Sequence, residues 1–345
     1  LALQGPLLAG SLAFIDPEAG LAPPIGDYVA IRVWSTPAVF IKLVVIGWLI
    51  GTARAKTALG LEVFVNVTNA VLTVWFVQGL GLALPGAAAA SAIAETLAAA
   101  AGLGLAVRVI GRARFLALAR QPGFWRPRAF GDLVSGNAFL LVRTLFLLSA
   151  FALLWKIGTG LGSTTAAANQ VLLQFLTLSS LALDGIAYAA EAEVGRAVGR
   201  RDRLLLTRMV RLTTLWALAA ALGLTLVYGV AGEAIVALFT DHAPVRAEAG
   251  RHLPWLVAMP LVAVWSYQFD GIFIGLNAFR AMFLTMTGAF AAFAGVAALA
   301  VPDAGNHGLW AAMTALMAAR GGLQVLCYPM LVRGKLADVP AQAAA

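Results

Sequence analysis

Two aspartates, Asp184 and Asp270, lie within long apolar segments of this 345-residue chain, and each is followed by a glycine. An ionisable side chain at membrane depth costs at least about 2.5–3.5 kcal/mol, so each one needs a partner or water. Two carboxylates in one helical bundle can bind and release a proton or hold a cation. That is the chemistry an ion-coupled carrier needs, and it makes these aspartates the first candidate site residues.

Asp184 belongs to a stripe of polar residues on one predicted helix. The stripe consists of Gln170, Gln174, Thr177, Asp184, Tyr188 and Glu191, whose spacings of four, three, seven, four and three residues place them on one helical face. Such a face can line a hydrated cavity, or it can hold neighbouring helices by hydrogen bonds. The two carboxylates in the stripe favour the cavity.

Further polar residues accompany these carboxylates. Arg143, on the preceding predicted helix, either tunes Asp184 and Asp270 or forms a permanent salt bridge to one of them, and both interpretations stay open. A second polar face, in the first half, consists of Glu62, Asn66, Asn69 and Thr73. Arg32 and Glu62 are expected to lie in water near a membrane surface, and Lys42 to extend its amine towards that surface.

The whole chain is too apolar to be a soluble protein. Hydrophobic residues make up 61% of it and charged residues 12%, against about 45–50% and about 25% in soluble domains. We therefore expect an integral membrane protein. The net charge of +8 is attributed to basic loops that orient membrane helices, and no nucleic-acid partner is expected. Cys327 is the single cysteine, which excludes a disulfide framework and cysteine-based zinc or iron–sulfur sites.

Nine apolar runs reach about the 20 residues that a helix needs to span a membrane. They are approximately 28–52, 58–79, 85–110, 133–157, 165–190, 206–231, 252–276, 282–301 and 307–332, and residues 1–15 resemble the end of a tenth. The sequence therefore predicts an all-α membrane bundle. Tryptophans near the ends of these runs are expected to form interfacial belts; they are Trp34, Trp48, Trp155, Trp265 and Trp310.

Arginine and lysine mark every second connection between these runs. The basic connections contain residues 54–56, 112–128, 200–211, 280 and 333–335. Because cytoplasmic loops concentrate these residues, the pattern places the C-terminus in the cytoplasm.

An internal repeat predicts two lobes. Ile46–Gly51 aligns with Asp270–Gly275, and Gly86 aligns with Gly308 at nearly the same offset. The basic loops keep the same phase in both halves, which favours a parallel repeat. We expect an incomplete N-terminal lobe at 1–110, a basic cytoplasmic inter-lobe loop at 111–132 and a C-terminal lobe at 133–345. By this repeat, two helices and most of a third would precede Leu1.

Several segments together resemble the DinF branch of the multidrug and toxic compound extrusion (MATE) transporters. They are Ala168-Asn169-Gln170, Leu183-Asp184-Gly185 running on to Glu191-Ala192, Phe269-Asp270-Gly271, Gly305-Asn306-His307-Gly308 and Ala319-Arg320-Gly321, with Ile46-Gly47-Trp48 and the pair Asn66 and Asn69 in the first half. The resemblance implies two pseudo-symmetric six-helix lobes around a central cavity, and export driven by protons or sodium ions. The chain departs from the family at Thr73, where an aspartate is usual, and it lacks the family's first helix.

The resulting hypothesis is a cation-coupled antiporter that exports amphipathic or cationic organic compounds by alternating access. Asp184 and Asp270 would bind the coupling ion or the compound's positive charge, and Arg143 would tune them. The remaining candidate site residues are Glu191, Tyr188, Gln174, Gln170, Asn66 and Asn69. We expect no cofactor, and no metal other than a sodium ion near the two aspartates. The protein would be a monomer in the bacterial cytoplasmic membrane, with small organic substrates and the lipid bilayer as its partners.

Four alternatives to this hypothesis exist. A lipid-linked precursor flippase would need a larger basic cavity than Arg143, Lys42 and Arg32 can build. A truncated chain could insert into the membrane and transport nothing. An intramembrane aspartyl protease is disfavoured because the sequence has no Gly-x-Gly-Asp motif, and the absence of a P-loop argues against an ATP-driven pump. We expect no enzymatic activity.

Overall fold

The computed structural model describes residues 5–6, 8–10, 22–52, 54–120 and 127–335, and these ranges are helical almost throughout. Most of the partial helix predicted at 1–15 lies outside the described residues. The chain divides into two compact units, one ending at residue 126 and the other beginning at residue 127. Each unit is described by itself.

Between residues 22 and 120, the first unit contains five α-helices. They are α1 (Ala22–Arg32), α2 (Thr36–Gly51), α3 (Ala55–Thr73), α4 (Ala83–Ile110) and the short α5 (Arg112–Ala119), with a 3₁₀ turn at Val33–Ser35 and a π-helical segment at Val74–Gly79. Residues 111–132 were predicted to form a loop, but they contain α5 and the start of the next helix. The arginine, alanine and leucine residues of α5 are strong helix formers, which explains the difference.

Over its described residues, 127–335, the second unit contains six long helices. They are α6 (Pro127–Gly160), α7 (Ser163–Gly199), α8 (Arg203–Phe239), α9 (Ala243–Gly275), α10 (Phe279–Ala304) and α11 (Asn306–Lys335). Proline at the start of α6 fits the first helical position, where its missing N–H is not needed.

All nine predicted membrane spans are present as helices that are long and apolar enough to cross a bilayer, counted over the described ranges. Several are longer than the apolar runs that predicted them. The run at 165–190 is part of Ser163–Gly199, and the run at 252–276 belongs to a helix that begins at Ala243. Hydropathy marks the part of a helix that suits lipid, whereas its backbone hydrogen bonds continue into the polar ends.

A buried amide network ties the beginnings of α7 and α11 together. Asn169 and Asn306 exchange amide hydrogen bonds of 2.8 and 2.9 Å, and the indole N–H of Trp310 donates to Asn169 Oδ1 at 2.9 Å. Trp310 is fully buried, so its predicted place in an interfacial belt was wrong. Trp34 and Trp155 are exposed by 72% and 55%, as a belt requires.

Helices α7 and α9 touch through their backbones. A Cβ atom on Gly271 would lie 2.1 Å from the carbonyl oxygen of Ala187, and one on Gly275 would lie 2.7 Å from that of Glu191. The two glycines are four residues apart and therefore share one face of α9. Such small residues let membrane helices approach closely. This contact aligns the part of α7 that carries Asp184 with the part of α9 that carries Asp270.

Helix α11 approaches the same region of α9 from another side. A Cβ on Gly321 would lie 2.7 Å from Trp265 Cβ and 2.9 Å from the backbone nitrogen of Ser266. The hydroxyl of Ser266 donates to the carbonyl oxygen of Met317 at 2.7 Å. These contacts bring Arg320 and its neighbours on α11 within reach of α9.

We predict that Gly271→Ala destabilises the protein because its new methyl group would overlap the Ala187 carbonyl. Overpacking of this kind typically costs about 1–3 kcal/mol or more, so thermal unfolding of the purified protein should occur at a clearly lower temperature. Gly185→Ala on α7 is the matched control, since nothing lies within 4 Å of its new Cβ. Equal melting temperatures for the two variants would contradict this account of the contact.

Candidate functional site

A cavity of about 490 Å³ lies within the second unit. Side chains from α6, α7, α9 and α11 line it; the polar ones are Arg143, Gln170, Gln174, Thr177, Ser180, Asp184, Tyr267, Asp270 and Arg320. The structure therefore brings both predicted aspartates together with Arg143 and the first four residues of the predicted polar stripe. Apolar residues such as Leu147 and Phe151 complete the wall.

Asp270 is held by three side chains from two other helices. Arg143 on α6 and Arg320 on α11 each donate through Nη2 to its Oδ2 atom. Gln324, one turn beyond Arg320, donates through Nε2 to Oδ1 at 2.7 Å. The side chains of Arg143, Arg320 and Asp270 are exposed by only 13%, 4% and 15%. Asp270 therefore serves as a common acceptor that joins α6, α9 and α11.

Of the two interpretations of Arg143, the structure shows the salt bridge, and its partner is Asp270. Arg320 and Gln324 were missed as site residues. A signal for them was present, because Arg320 interrupts the apolar run at 307–332 and Gln324 follows it on the same helical face. The guanidinium carbon of Arg320 also lies 6.0 Å from the centre of the Tyr267 ring, within the range of a cation–π contact.

Asp184 differs from Asp270 in its contacts. It is half-buried, it lines the cavity, and within the described part of the chain it makes no hydrogen bond or ion pair. It interacts electrostatically with Asp270, Arg320 and Arg143 at longer range. One carboxylate of the cavity is thus fully engaged, whereas the other is available to a ligand.

The predicted polar stripe extends beyond the cavity. Tyr188 and Glu191 lie one and two turns past Asp184 on α7, and neither lines the cavity. Tyr188 is 56% exposed and Glu191 is half-buried. Leu181 interrupts the stripe, and only the part from Gln170 to Asp184 faces the cavity.

Polar residues of the first unit are engaged in contacts within that unit. Asn69 donates to Ser91 Oγ at 2.7 Å and so links α3 to α4, while Asn66 donates to the carbonyl oxygen of Glu62 at 2.8 Å. Asn69 therefore joins two helices, which is one of the two roles open to an intramembrane polar face, whereas Asn66 bonds only within its own helix.

Two basic residues of the first unit, Arg32 and Lys42, are paired with carboxylates. Arg32, which was expected to be solvated, donates to both carboxylate oxygens of Glu95 at 2.7 and 3.1 Å. The amine of Lys42 lies 3.7 Å from the Glu62 carboxylate. Arg32 and Lys42 are therefore not free to build the basic cavity that a flippase would need.

No group of three or more metal-ligating side chains occurs in the parts of the chain that the structure describes. Two imidazoles of the second unit, those of buried His252 and exposed His307, lie 4.3 Å apart between ring centres and are tilted by 41°. His252 Nδ1 lies 2.9 Å from the carbonyl oxygen of Glu248, and Trp255 donates to His307 Nδ1 at 3.1 Å. A sodium ion near Asp184 and Asp270 stays a prediction.

Comparison with known proteins identifies the family. The family model named MatE matches residues 139–299. The DNA damage-inducible protein F of Escherichia coli strain K12 is 37% identical over 319 residues, which cover 92% of this chain and 69% of that protein. The chain belongs to the MATE family. This MATE chain is also 29% identical to the probable multidrug resistance protein NorM of Rhizobium meliloti over 66% of its own length and 48% of that protein.

The fold agrees with this assignment. A crystal structure of MATE in the bent conformation superimposes on the MATE chain with a TM-score of 0.83 and 17% sequence identity, covering 97% of this chain and 75% of that one. At that identity the match establishes the all-α MATE fold alone. The protein is thus a multi-pass membrane protein of a multidrug efflux transporter family.

We predict that Asp270→Asn destabilises this MATE chain more than Arg320→Gln does. The first change leaves two buried guanidiniums without a counter-charge, which typically costs about 3–5 kcal/mol, whereas the second leaves Asp270 bonded to Arg143. Arg196→Gln is the control, because its ion pair with Glu193 is 42% and 30% exposed and should contribute about 0–1 kcal/mol. Thermal unfolding of purified variants measures the order, and an Asp270 variant as stable as the control would contradict it.

Proposed function

We propose that this protein is a secondary antiporter that exports amphipathic or cationic organic compounds, driven by an inward flow of protons or sodium ions. Membership of the MATE family supports the export function. The observation that carries the ion coupling is the unpaired Asp184 carboxylate at the wall of the cavity, beside an Asp270 whose oxygens are occupied. A cavity of about 490 Å³ is within the usual size range for sites that enclose drug-sized molecules, about 300–1,000 Å³.

Asp184 would bind the coupling ion and the compound's positive charge in turn. Coupling requires that each ligand favours one conformation over the other. The ion and the compound would compete for the Asp184 carboxylate, so that only one of them is bound at a time; coupling requires in addition that the two are bound in different conformations. Gln170 and Gln174, on the same face of α7, would donate and accept hydrogen bonds with the polar groups of the compound.

The proposed location is the bacterial cytoplasmic membrane, with the C-terminus in the cytoplasm. The basic connections at alternate ends of the helices support this orientation. The similarity to an Escherichia coli protein supports the bacterial membrane.

Efflux of a fluorescent organic cation from cells that express the protein tests the proposed site. Asp184→Asn should lower gradient-driven efflux about tenfold or more, as expected for the loss of one hydrogen-bonded charge contact, and Asp184→Glu should retain part of it. Glu193→Gln, also on α7 but ion-paired to Arg196 outside the cavity, should export like the unchanged protein. Collapsing the proton and sodium gradients separately identifies the coupling ion. If Asp184→Asn exports normally at the same membrane level, the site assignment is wrong.

Reporter fusions test the proposed orientation. Green fluorescent protein joined after Ala345 should fluoresce, and alkaline phosphatase at the same position should be inactive, because the first folds in the cytoplasm and the second requires the oxidising outer side. A matched pair of fusions after Thr240, at the opposite end of α8, should give the reverse result. An active phosphatase at the C-terminus would overturn the orientation.

A further inference from the structure

The two arginines beside Asp270 use only a small part of their hydrogen-bonding capacity. A guanidinium carries five N–H donors in a planar fork. Arg143 and Arg320 each donate through Nη2 alone, and to the same carboxylate oxygen. The Nε atoms of both are buried and have no hydrogen-bond partner among the described residues. Neither arginine makes the two parallel bonds that a guanidinium forms with a fully shared carboxylate.

The charges of this cluster do not balance locally. Arg143 and Arg320 contribute two positive charges and Asp270 one negative charge, so one positive charge is left over on the cavity wall. Asp184 supplies the remaining negative charge from α7, but it does not contact either guanidinium. A ligand in the cavity would therefore meet positive charge at the two arginines and negative charge at Asp184, in separate places.

We propose that Arg143 and Arg320 form an anion subsite, and that the exported compounds carry a carboxylate as well as a positive group. The carboxylate would bind the unused N–H donors of the two arginines, and the positive group would lie against Asp184. This inference rests on the proposed function, and it narrows the substrate class to amphoteric organic molecules. Guanidinium forks match carboxylates in shape and charge, which lysine amines do not.

Asp270 is the internal counter-ion of this subsite. Two buried guanidiniums cannot be left without a negative partner when the cavity is empty, and Asp270 supplies one from the neighbouring helix. It engages one nitrogen of each arginine and leaves the others for an incoming carboxylate. In this arrangement Asp270 competes with the substrate's carboxylate for the two arginines. If Asp270 instead bound the substrate's positive group directly, it would attract the substrate.

Those two roles predict opposite effects of removing the Asp270 charge. The probes are a rhodamine with a free carboxylate and the methyl ester of the same rhodamine, titrated against the purified full chain by fluorescence anisotropy. In the unchanged protein the acid should bind about tenfold more tightly than the ester. A ratio of this size corresponds to the contribution of one charge-assisted hydrogen bond. Asp270→Asn should widen this ratio. A cation-binding Asp270 would instead weaken both dyes.

A charge-neutral variant keeps the test valid if Asp270→Asn does not fold. Arg143→Gln, Asp270→Asn and Arg320→Gln together remove the cluster's charges at similar side-chain size, an exchange that buried ion clusters often tolerate. The ratio between acid and ester should then fall to about one, with ester binding kept. Equal binding of the two dyes to the unchanged protein, or a ratio that survives in the neutral variant, overturns the anion subsite.

Asp184→Asn reports on the proposed function in the same assay. It should weaken acid and ester alike, since both carry the positive xanthene ring, and should leave their ratio unchanged. Failure of either dye to bind, or binding that is insensitive to Asp184→Asn, overturns the cation site on which the proposed function rests. The ratio of the two dyes' affinities tests the anion subsite alone. A failure of the anion subsite can therefore be distinguished from a failure of the proposed cation site.

Discussion

A charge that is buried in a helical bundle must be neutralised where it lies, and in the second unit this requirement converges on the carboxylate of Asp270. Its two oxygens accept hydrogen bonds from α6 and α11, so three helices meet at one residue of α9. The packing of the surrounding helices brings these side chains together. Gly321 lets α11 lie against α9, which brings Arg320 and Gln324 into reach. Arg143, Asp270 and Arg320 all line the polar cavity.

The two units use their intramembrane polar residues in different ways. In the first unit, the side chains that were candidates for a site are occupied by neighbours: Asn69 bonds to Ser91, and Asn66 bonds to the carbonyl oxygen of Glu62. In the second unit, Asp184 makes no hydrogen bond among the described residues, and the Nε atoms of Arg143 and Arg320 have no partner there either. A polar residue within a membrane helix therefore indicates function only when its hydrogen-bonding capacity is not used by the fold.

The sequence predicted the helices well because the physical requirement is local. A run of about 20 apolar residues spans a bilayer whatever its neighbours are, and the stripe from Gln170 to Asp184 follows from helical spacing alone. Pairings between helices are not local. Arg320 could not be assigned to Asp270 without the packing that brings α11 to α9. Trp310 illustrates the same limit, since an indole N–H suits the membrane interface and the buried amide of Asn169 equally well. The extension of α9 back to Ala243 was missed because polar helix ends carry no hydropathy signal.

The glycine contact between α7 and α9 constrains how such a protein could move. Packed helices usually slide past one another by small changes in side-chain rotamers. Where Gly271 and Gly275 rest on the carbonyls of Ala187 and Glu191, no side-chain layer exists to absorb such sliding. We therefore expect the two helices to move as one rigid body, so that Asp184 and Asp270 keep a constant separation. In the antiporter proposed above, a difference in ion affinity between two conformations would then come from water entry and from the movement of α6 and α11 around this fixed pair.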